Sequence, residues 1–253
     1  LDAMNLVQPD LTIITSIAMD HEAWLGQSRE AIAREKAGIM RTGITCIIAD
    51  RQPPDSISEV AEQTGAVLDI LAPDDMPDLV SQLPIDSYRA ARRASDYLGI
   101  ALSERDFRQL AASTTLVGRR SWLPGPCRTL ADVAHNPAAA AALANHLAAM
   151  RPEGKVHALF GAYADKDIEG VLAPFHDLVN TWHFTGLEEA RAAAPGEIVR
   201  RSGIAADELV HTYAKINVAL DAIERAVGEN DLLLVFGSFP VVAGALQRYT
   251  PRG

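Results

Sequence analysis

The chain has 253 residues, 48% hydrophobic and 22% charged, with a formal net charge of -10 and a pI near 5.1. That length exceeds one typical domain and the apolar content suffices for a substantial core, so two globular domains are expected. The negative charge, with no Lys/Arg block, argues against nucleic acid as a partner, and no apolar run approaches the roughly 18 residues of a membrane span. No basic segment followed by an apolar stretch opens the chain as an export signal would. Cys46 and Cys127 form no CxxC pair or zinc-ligand spacing, which predicts small buried side chains in a reducing cytoplasm. The chain opens on Leu1 inside what reads as an ordered segment, which points to a piece of a longer protein.

Apolar runs rich in β-branched residues alternate with segments of helical period, the pattern of layered α/β folds with a mostly parallel sheet. The first half offers strands at "LTIITSI" (11–17), "ITCIIAD" (44–50) and "AVLDIL" (66–71). Between the first two lies "SREAIAREKAG", where Ser28 can cap a helix and Gly38 can end it in the left-handed conformation. "DSISEVAEQTG" reads as a helix capped by Asp55 and stopped by Gly65. "SYRAARRASDYLG" and "SERDFRQLAAS" then follow without an intervening strand, Ser103 and Asp106 forming a capping arrangement. "TTLVGRRSWLPGPC" loses all periodicity and collects Gly118, Pro124, Gly125 and Pro126, as a linker does. The domain boundary is expected there, giving domains of 1–120 and 121–253.

The alternation restarts with strand "RTLADVA", helix "PAAAAALANHLAAM", strand "KVHALFGA", helix "KDIEGVLAPF" and strand "NTWHFTG". Helical "GEIVRRSG" and "NVALDAIERAVG", the strand "DLLLVFGS" and a short last helix complete it. There is no internal repeat, and the alanine-rich helix needs no function beyond its propensity.

Ligands of parallel α/β sheets bind beyond the carboxyl ends of strands, so polar residues there are the first candidates. In "ADVAHNP", Asn136 and Pro137 are explained by helix capping, but Asp132 and His135 are not. A carboxylate that accepts from ribose hydroxyls beside an imidazole suits a nucleoside. "SIAMDHEAWLG" places Asp20 and His21 after a strand, where a lone histidine is more often structural than a ligand. "AREKAGI" places Arg34, Glu35 and Lys36 before a helix stop, which sequence physics alone reads as a solvated face. "GAYADKD" and "VFGSF" both run from strands into helix starts, where Asp165, Lys166 and Ser238 can hold a carboxylate-bearing substrate or serve turn chemistry. Neither GxxxxGK[ST], GxGxxG nor GxSxG occurs, so the chain itself carries no P-loop, dinucleotide fingerprint or serine-hydrolase elbow.

Taken in order, "LDAMNLVQPDLTIITSIAMDHEAWLG", "REAIAREKAGIMR", "LVGRR", "DVAHNP", "GAYADKD" and "VFGSF" resemble the folylpolyglutamate synthase/dihydrofolate synthase family of the Mur ligase superfamily. The resemblance runs end to end along this chain but covers only the later part of a family member, without the P-loop portion. It implies a partial Mur-ligase-type central ATPase domain followed by a Rossmann-like C-terminal α/β domain. It further implies a cytoplasmic, monomeric enzyme that uses ATP and magnesium to join L-glutamate to a folate or dihydropteroate through an acyl phosphate. By the same resemblance His21 is a magnesium ligand and Lys36 a carbamylated lysine supporting a magnesium site. Arg119, Asp132, His135, Asn136 and Ser87 fall at nucleotide-binding positions, while Asp165, Lys166 and Ser238 remain substrate-binding candidates from their place at the strand ends.

Two positions depart from the family pattern. Ser87 stands where an asparagine usually contacts adenine, and a serine cannot pair bidentately with that base. Pro240 stands where a histidine often follows "FGSF". Two rival readings are a Mur-type ligase of cell-wall precursors and a nonenzymatic nucleotide-binding module. "SIAMDHEAWLG" followed by "EKAGI" favours the folate branch.

Overall fold

The structure, a computed structural model, describes residues 3–19, 28–72, 83–205 and 208–250. They divide into two compact units, Leu1–Thr115 and Leu116–Gly253.

In the first unit a three-stranded parallel sheet has the order β1 (Thr12–Ile14), β2 (Thr45–Ile48), β3 (Val67–Ile70). Helices α1 (Arg29–Ala37) and α2 (Asp55–Thr64) follow β1 and β2, and Ile32, Ala33, Ala37, Ile57 and Ala61 share a buried cluster with Ile14, Cys46 and Ile48. The opposite face buries Ile47 against Ala90 and Ala94 of α3 (Ile85–Tyr97). Helix α4 (Glu104–Ser113) follows, with Phe107 edge-on to Tyr88 at 5.0 Å.

The expected caps divide by how local they are. Ser28 accepts from Ala31 N at 3.2 Å, Ser103 accepts from Asp106 N at 3.1 Å, and Gly65 ends α2 at φ 72. Asp55 does not cap α2. It is the first helical residue, and Pro54, with no side chain to bond, occupies the cap. Gly38 is right-handed, at φ -57 and ψ -12. Its small size is used otherwise, because a Cβ there would lie 2.6 Å from Asn5 Nδ2.

The second unit carries a six-stranded sheet of order β4-β5-β9-β6-β7-β8. The strands are β4 (Ser121–Leu123), β5 (Arg128–Asp132), β6 (Val156–Phe160), β7 (Thr181–Thr185), β8 (Leu209–Tyr213) and β9 (Leu232–Phe236). All pairings are parallel except β4 with β5. The helices are α5 (Pro137–Met150), α6 (Ile168–Leu172), α7 (Pro195–Arg201), α8 (Ile216–Ala226) and α9 (Phe239–Tyr249). Leu143 and Leu147 of α5, Val171 of α6 and Ile198 of α7 join Phe160, Trp182, Phe184 and Phe236 in one core. Leu220 and Ile223 of α8 and Val241 and Ala245 of α9 join Ala131, Leu159 and Val235 in the other. Helices thus cover both faces of a mostly parallel sheet, as in doubly wound folds.

Two strands carry no strand signal in the sequence. Ser121–Leu123, within the segment expected to be a linker, pairs antiparallel with β5, and Leu209–Tyr213 closes the opposite edge. Both are edge strands with largely solvent-facing side chains, so neither shows the continuous apolar run of the buried central strands.

Candidate functional site

Strands β5, β9 and β6 are neighbours, and Asp132, Phe236 and Phe160 lie in one row across their carboxyl ends. The chain leaves β5 and β6 toward the face of α5 and α6, and leaves β9 toward the face of α9. That divergence opens the sheet at a switch point, the usual location of ligands in such folds. The segments 133–136, 161–167 and 237–240 therefore issue from one edge of the sheet.

Asp132 is buried at the end of β5. Its Oδ2 accepts from Arg120 N at 3.0 Å, and its Oδ1 lies 3.8 Å from Arg119 Nη1, beyond hydrogen-bond length. Burial pushes its carboxyl pKa upward, against the opposing influence of the Arg120 amide, the Arg119 guanidinium and the Ala134 amide. Oδ1 retains acceptor capacity for an incoming hydroxyl.

The turn that delivers these arginines is tightly built. Gly118 and Arg120 both have positive φ, 76 and 43. Gly118 N donates to Ser121 Oγ at 3.0 Å, and Val133 N donates to Gly118 O at 2.9 Å, docking the turn on the end of β5. A Cβ at Gly118 would lie 3.3 Å from Val133 Cγ1, closer than most such contacts. Arg120 was not singled out from the sequence. It is half-buried, its Nη2 reaches Ala142 O at 3.4 Å, and desolvation pulls its pKa down while Asp132 opposes the shift. The doubled arginine after Gly118 was the available signal.

His135 Nδ1 lies 2.9 Å from Val133 O, and a carbonyl can only accept, so the proton sits on Nδ1. Asn136 accepts from Ala139 N at 2.9 Å and caps α5, with Pro137 in the first turn. Both residues are half-buried.

On β9, Gly237 adopts φ 107 and is followed by Ser238, the N-cap residue of α9. Ser238 is 2% exposed, makes no capping bond, and its Oγ has no hydrogen-bond partner. An orphaned buried hydroxyl costs about 1–3 kcal/mol unless a ligand or water meets it. On the β6 side, Asp165 is exposed, Lys166 is half-buried with its amide donating to Tyr163 O at 3.2 Å, and Asp167 caps α6 by accepting from Gly170 N at 3.0 Å. A cavity of about 460 Å³ is bounded by Val117, Gly118, Val133, Tyr163, Glu189, Phe239 and Pro240 among others. Tyr163 Oη donates to Glu189 at 2.8 Å, and Arg191 stacks 4.3 Å over the Tyr163 ring. Tyr163 stood out in the sequence only as part of "GAYADKD", and Glu189 and Arg191 not at all, because loop residues 26 or more positions apart meet only when the sheet brings the ends of β6 and β7 together.

Lys36 and Ser87, in the first unit, are exposed on the last turn of α1 and the first turn of α3. His21 and Asp20 lie outside the described residues. At Ile17 stands a partly buried network that the sequence did not disclose. Asp50 accepts from Ile17 N at 2.6 Å, while Arg29 contacts Asp50 at 3.3 Å and donates to Ile17 O at 2.9 Å. It ties the carboxyl ends of β1 and β2 to the start of α1. Among the described residues, no three His, Cys, Asp or Glu side chains converge on a metal-sized space.

The family described as Mur ligase, glutamate ligase domain, matches residues 118–239. The chain is 34% identical over 268 residues to the dihydrofolate synthase/folylpolyglutamate synthase of Escherichia coli (strain K12), covering 98% of this chain and 62% of that protein. It superposes on E. coli FolC in complex with DHPP and ADP with a TM-score of 0.87 at 32% identity, covering 98% of this chain and 63% of that one. A bifunctional folylpolyglutamate synthase/dihydrofolate synthase with Mn, AMPPNP and L-glutamate bound gives a TM-score of 0.86 at 32% identity, covering 98% and 64%. The chain thus spans less than two thirds of the length of these relatives.

Proposed function

We propose, for a chain that belongs to the dihydrofolate synthase/folylpolyglutamate synthase family of Mur ligases, that it is the later part of an ATP-dependent ligase adding L-glutamate to folate, dihydropteroate or both. Residues 1–120 would form the end of the central ATPase domain plus linker, and 121–253 the C-terminal domain. The observation that carries this reading is the convergence of "DVAHNP", "GAYADKD" and "VFGSF" on the carboxyl ends of β5, β6 and β9, with Asp132 buried among them.

ATP supplies the phosphoryl group that converts a pteroate or folate carboxyl into an acyl phosphate, from which the amine of L-glutamate displaces phosphate. The residues present fit a nucleotide and an anionic substrate. Asp132 Oδ1 can accept from a ribose hydroxyl while the Arg120 amide holds Oδ2, and the Arg119 guanidinium, 45% exposed, is available to phosphates. His135 and Asn136 shape the adjacent wall, Asn136 by fixing the start of α5. Ser87, in the first unit, is proposed as a further nucleotide-binding residue. The orphaned Ser238 hydroxyl, with Asp165 and Lys166 across the sheet edge, suits the carboxylates and amine of an amino-acid substrate.

Magnesium would be held by His21 and by Lys36, the latter only as a carbamate, because an ammonium offers donors and no lone pair. Among the described residues no helix is long and apolar enough to cross a membrane. A cytoplasmic monomer without nucleic-acid or membrane partners is the proposed setting.

Dihydropteroate, folates and UDP-muramoyl precursors offered to the complete gene product with ATP and radiolabelled L-glutamate test the reading. Incorporation into the pteroyl substrates is expected, and labelling of a muramoyl precursor alone would overturn it. Residues 1–253 by themselves, having no GxxxxGK[ST] loop for the β- and γ-phosphates, should incorporate none. In the complete protein, Asp132→Asn should weaken nucleotide binding by about 1–3 kcal/mol, the scale of a hydrogen bond to a charged group. Calorimetric titration with ADP, beside a thermal melt, separates this from a folding defect. Unchanged affinity in a folded mutant would remove Asp132 from the site.

A further inference from the structure

Away from the candidate site, three histidines from adjacent strands stack along the sheet face that α8 covers. His157 on β6 and His183 on β7 have ring centroids 5.7 Å apart, and His183 and His211 on β8 are 5.3 Å apart at 23°. His183 Nδ1 lies 3.1 Å from Tyr213 Oη, and His157 Nδ1 lies 3.4 Å from His183 Nε2. At the far end, His157 Nε2 lies 3.4 Å from Asp231 Oδ2, an ion-pair distance outside hydrogen-bond alignment. His157 and His183 are buried, and His211 is open to solvent.

The carboxylate fixes the direction of this chain. Amides of Gly228 and Lys155 donate to Asp231, which holds its pKa down and keeps it an acceptor. An N–H on His157 Nε2 is the favourable group to face it, leaving Nδ1 to accept from His183 Nε2–H. His183 Nδ1 in turn accepts from Tyr213 Oη, whose proton is retained because burial raises its pKa. The order is complete only when the buried imidazoles are neutral. A proton added to His157 sets two N–H groups head to head across 3.4 Å, and one added to His183 places a buried charge against two neighbouring rings.

The surroundings offer little compensation. The charged groups facing the rings are Lys155 beside His157, Asp231 before β9, and Arg225 of α8 toward Tyr213, two of them cations. Burial, then His157 and His211, push the His183 pKa down to about 3, and burial lowers that of His157.

β8 is the edge strand, paired on one side only, and α8 packs over β7 and β8. We infer that the imidazole ladder is an acid-sensitive latch, holding the β8–α8 edge to the sheet while its rings are neutral and releasing that edge when one of them is protonated. Its reach extends to the sheet end that carries the candidate site. Gly186 N donates to Tyr213 O at 3.0 Å, anchoring the start of the 186–193 loop. Ala164 N donates to Arg191 O at 2.9 Å, tying that loop to "GAYADKD".

Hydrogen exchange read by mass spectrometry on the folded protein at pD 7.5 and 5.0, corrected for intrinsic rates, tests the latch. The expected result is an at least tenfold loss of protection across residues 209–226 at the lower pD, with β5 and β9 unchanged, because an imidazole freed by opening takes up a proton near its ordinary value of about 6.5 while the latched ring does not. His183→Phe keeps a ring in the stack without a titrating group at its centre and should diminish the step at least threefold. His157→Asn, which also removes a titrating ring, should reduce it and serves if the first variant does not fold. Equal loss over both sheet edges, full protection of 209–226 at pD 5.0, or an undiminished step in the folded variants would each overturn the inference.

Discussion

Gly237→Ala is expected to destabilise the second unit by about 3–5 kcal/mol, combining backbone strain with overpacking of a closed core. At φ 107 the residue occupies a region that L side chains rarely adopt, and a Cβ would stand 2.3 Å from Phe160 Cε2 and 3.0 Å from Gly161 O. Phe160 cannot yield. It is fully buried, tilted against Phe236 at 5.0 Å and edge-on to Phe184 at 6.1 Å. Gly203→Ala provides the comparison within the same unit, because Gly203 also has positive φ, 67, but its nearest neighbour would be 3.5 Å away. That change should cost only about 1 kcal/mol of backbone strain. Urea unfolding of the two variants measures the difference, and equal losses would show that the Phe160 contact contributes nothing.

Lys36→Ala in the complete gene product is expected to lower turnover by roughly 100-fold, the upper end for losing a group that supports a metal site. Stability should stay within about 0.5 kcal/mol of wild type, since the side chain is exposed on the last turn of α1. Its neighbour Arg34 is paired with Glu59 of α2 at 2.5 Å, and that pair remains when Lys36 is shortened. The contrast between activity and stability is what separates a carbamylated lysine from a solvated one. A carbamate is an anion whose oxygens suit magnesium, so the substitution removes a negative charge where a plain lysine would have carried a positive one. Added acetate should restore part of the lost rate by filling the vacated space, and bicarbonate should affect only the wild type. Wild-type turnover in the alanine variant would eliminate the carbamate.

Features set by short-range chemistry were legible along the chain. Strands β6, β7 and β9 are buried throughout and β5 from Thr129 onward, and each carries the apolar or β-branched residues that mark a buried strand, β9 as an unbroken apolar run. Ser28, Ser103 and Asn136 were legible as caps because a cap bonds a backbone amide three residues away. The three polar motifs of the second unit were legible as strand-end segments for the same reason. Tertiary structure decided the rest. Edge strands β4 and β8 carry exposed residues and become strands only by pairing with a neighbour. Gly38 is right-handed rather than left-handed, and what the fold uses there is its smallness against Asn5. The Arg120–Asp132 contact exists because β4 and β5 pair antiparallel with Ser121 opposite Ala131, which folds the turn back over the end of β5. The histidine ladder joins residues 26 and 28 positions apart, a spacing with no local signature, and is assembled only when parallel pairing brings three strands side by side.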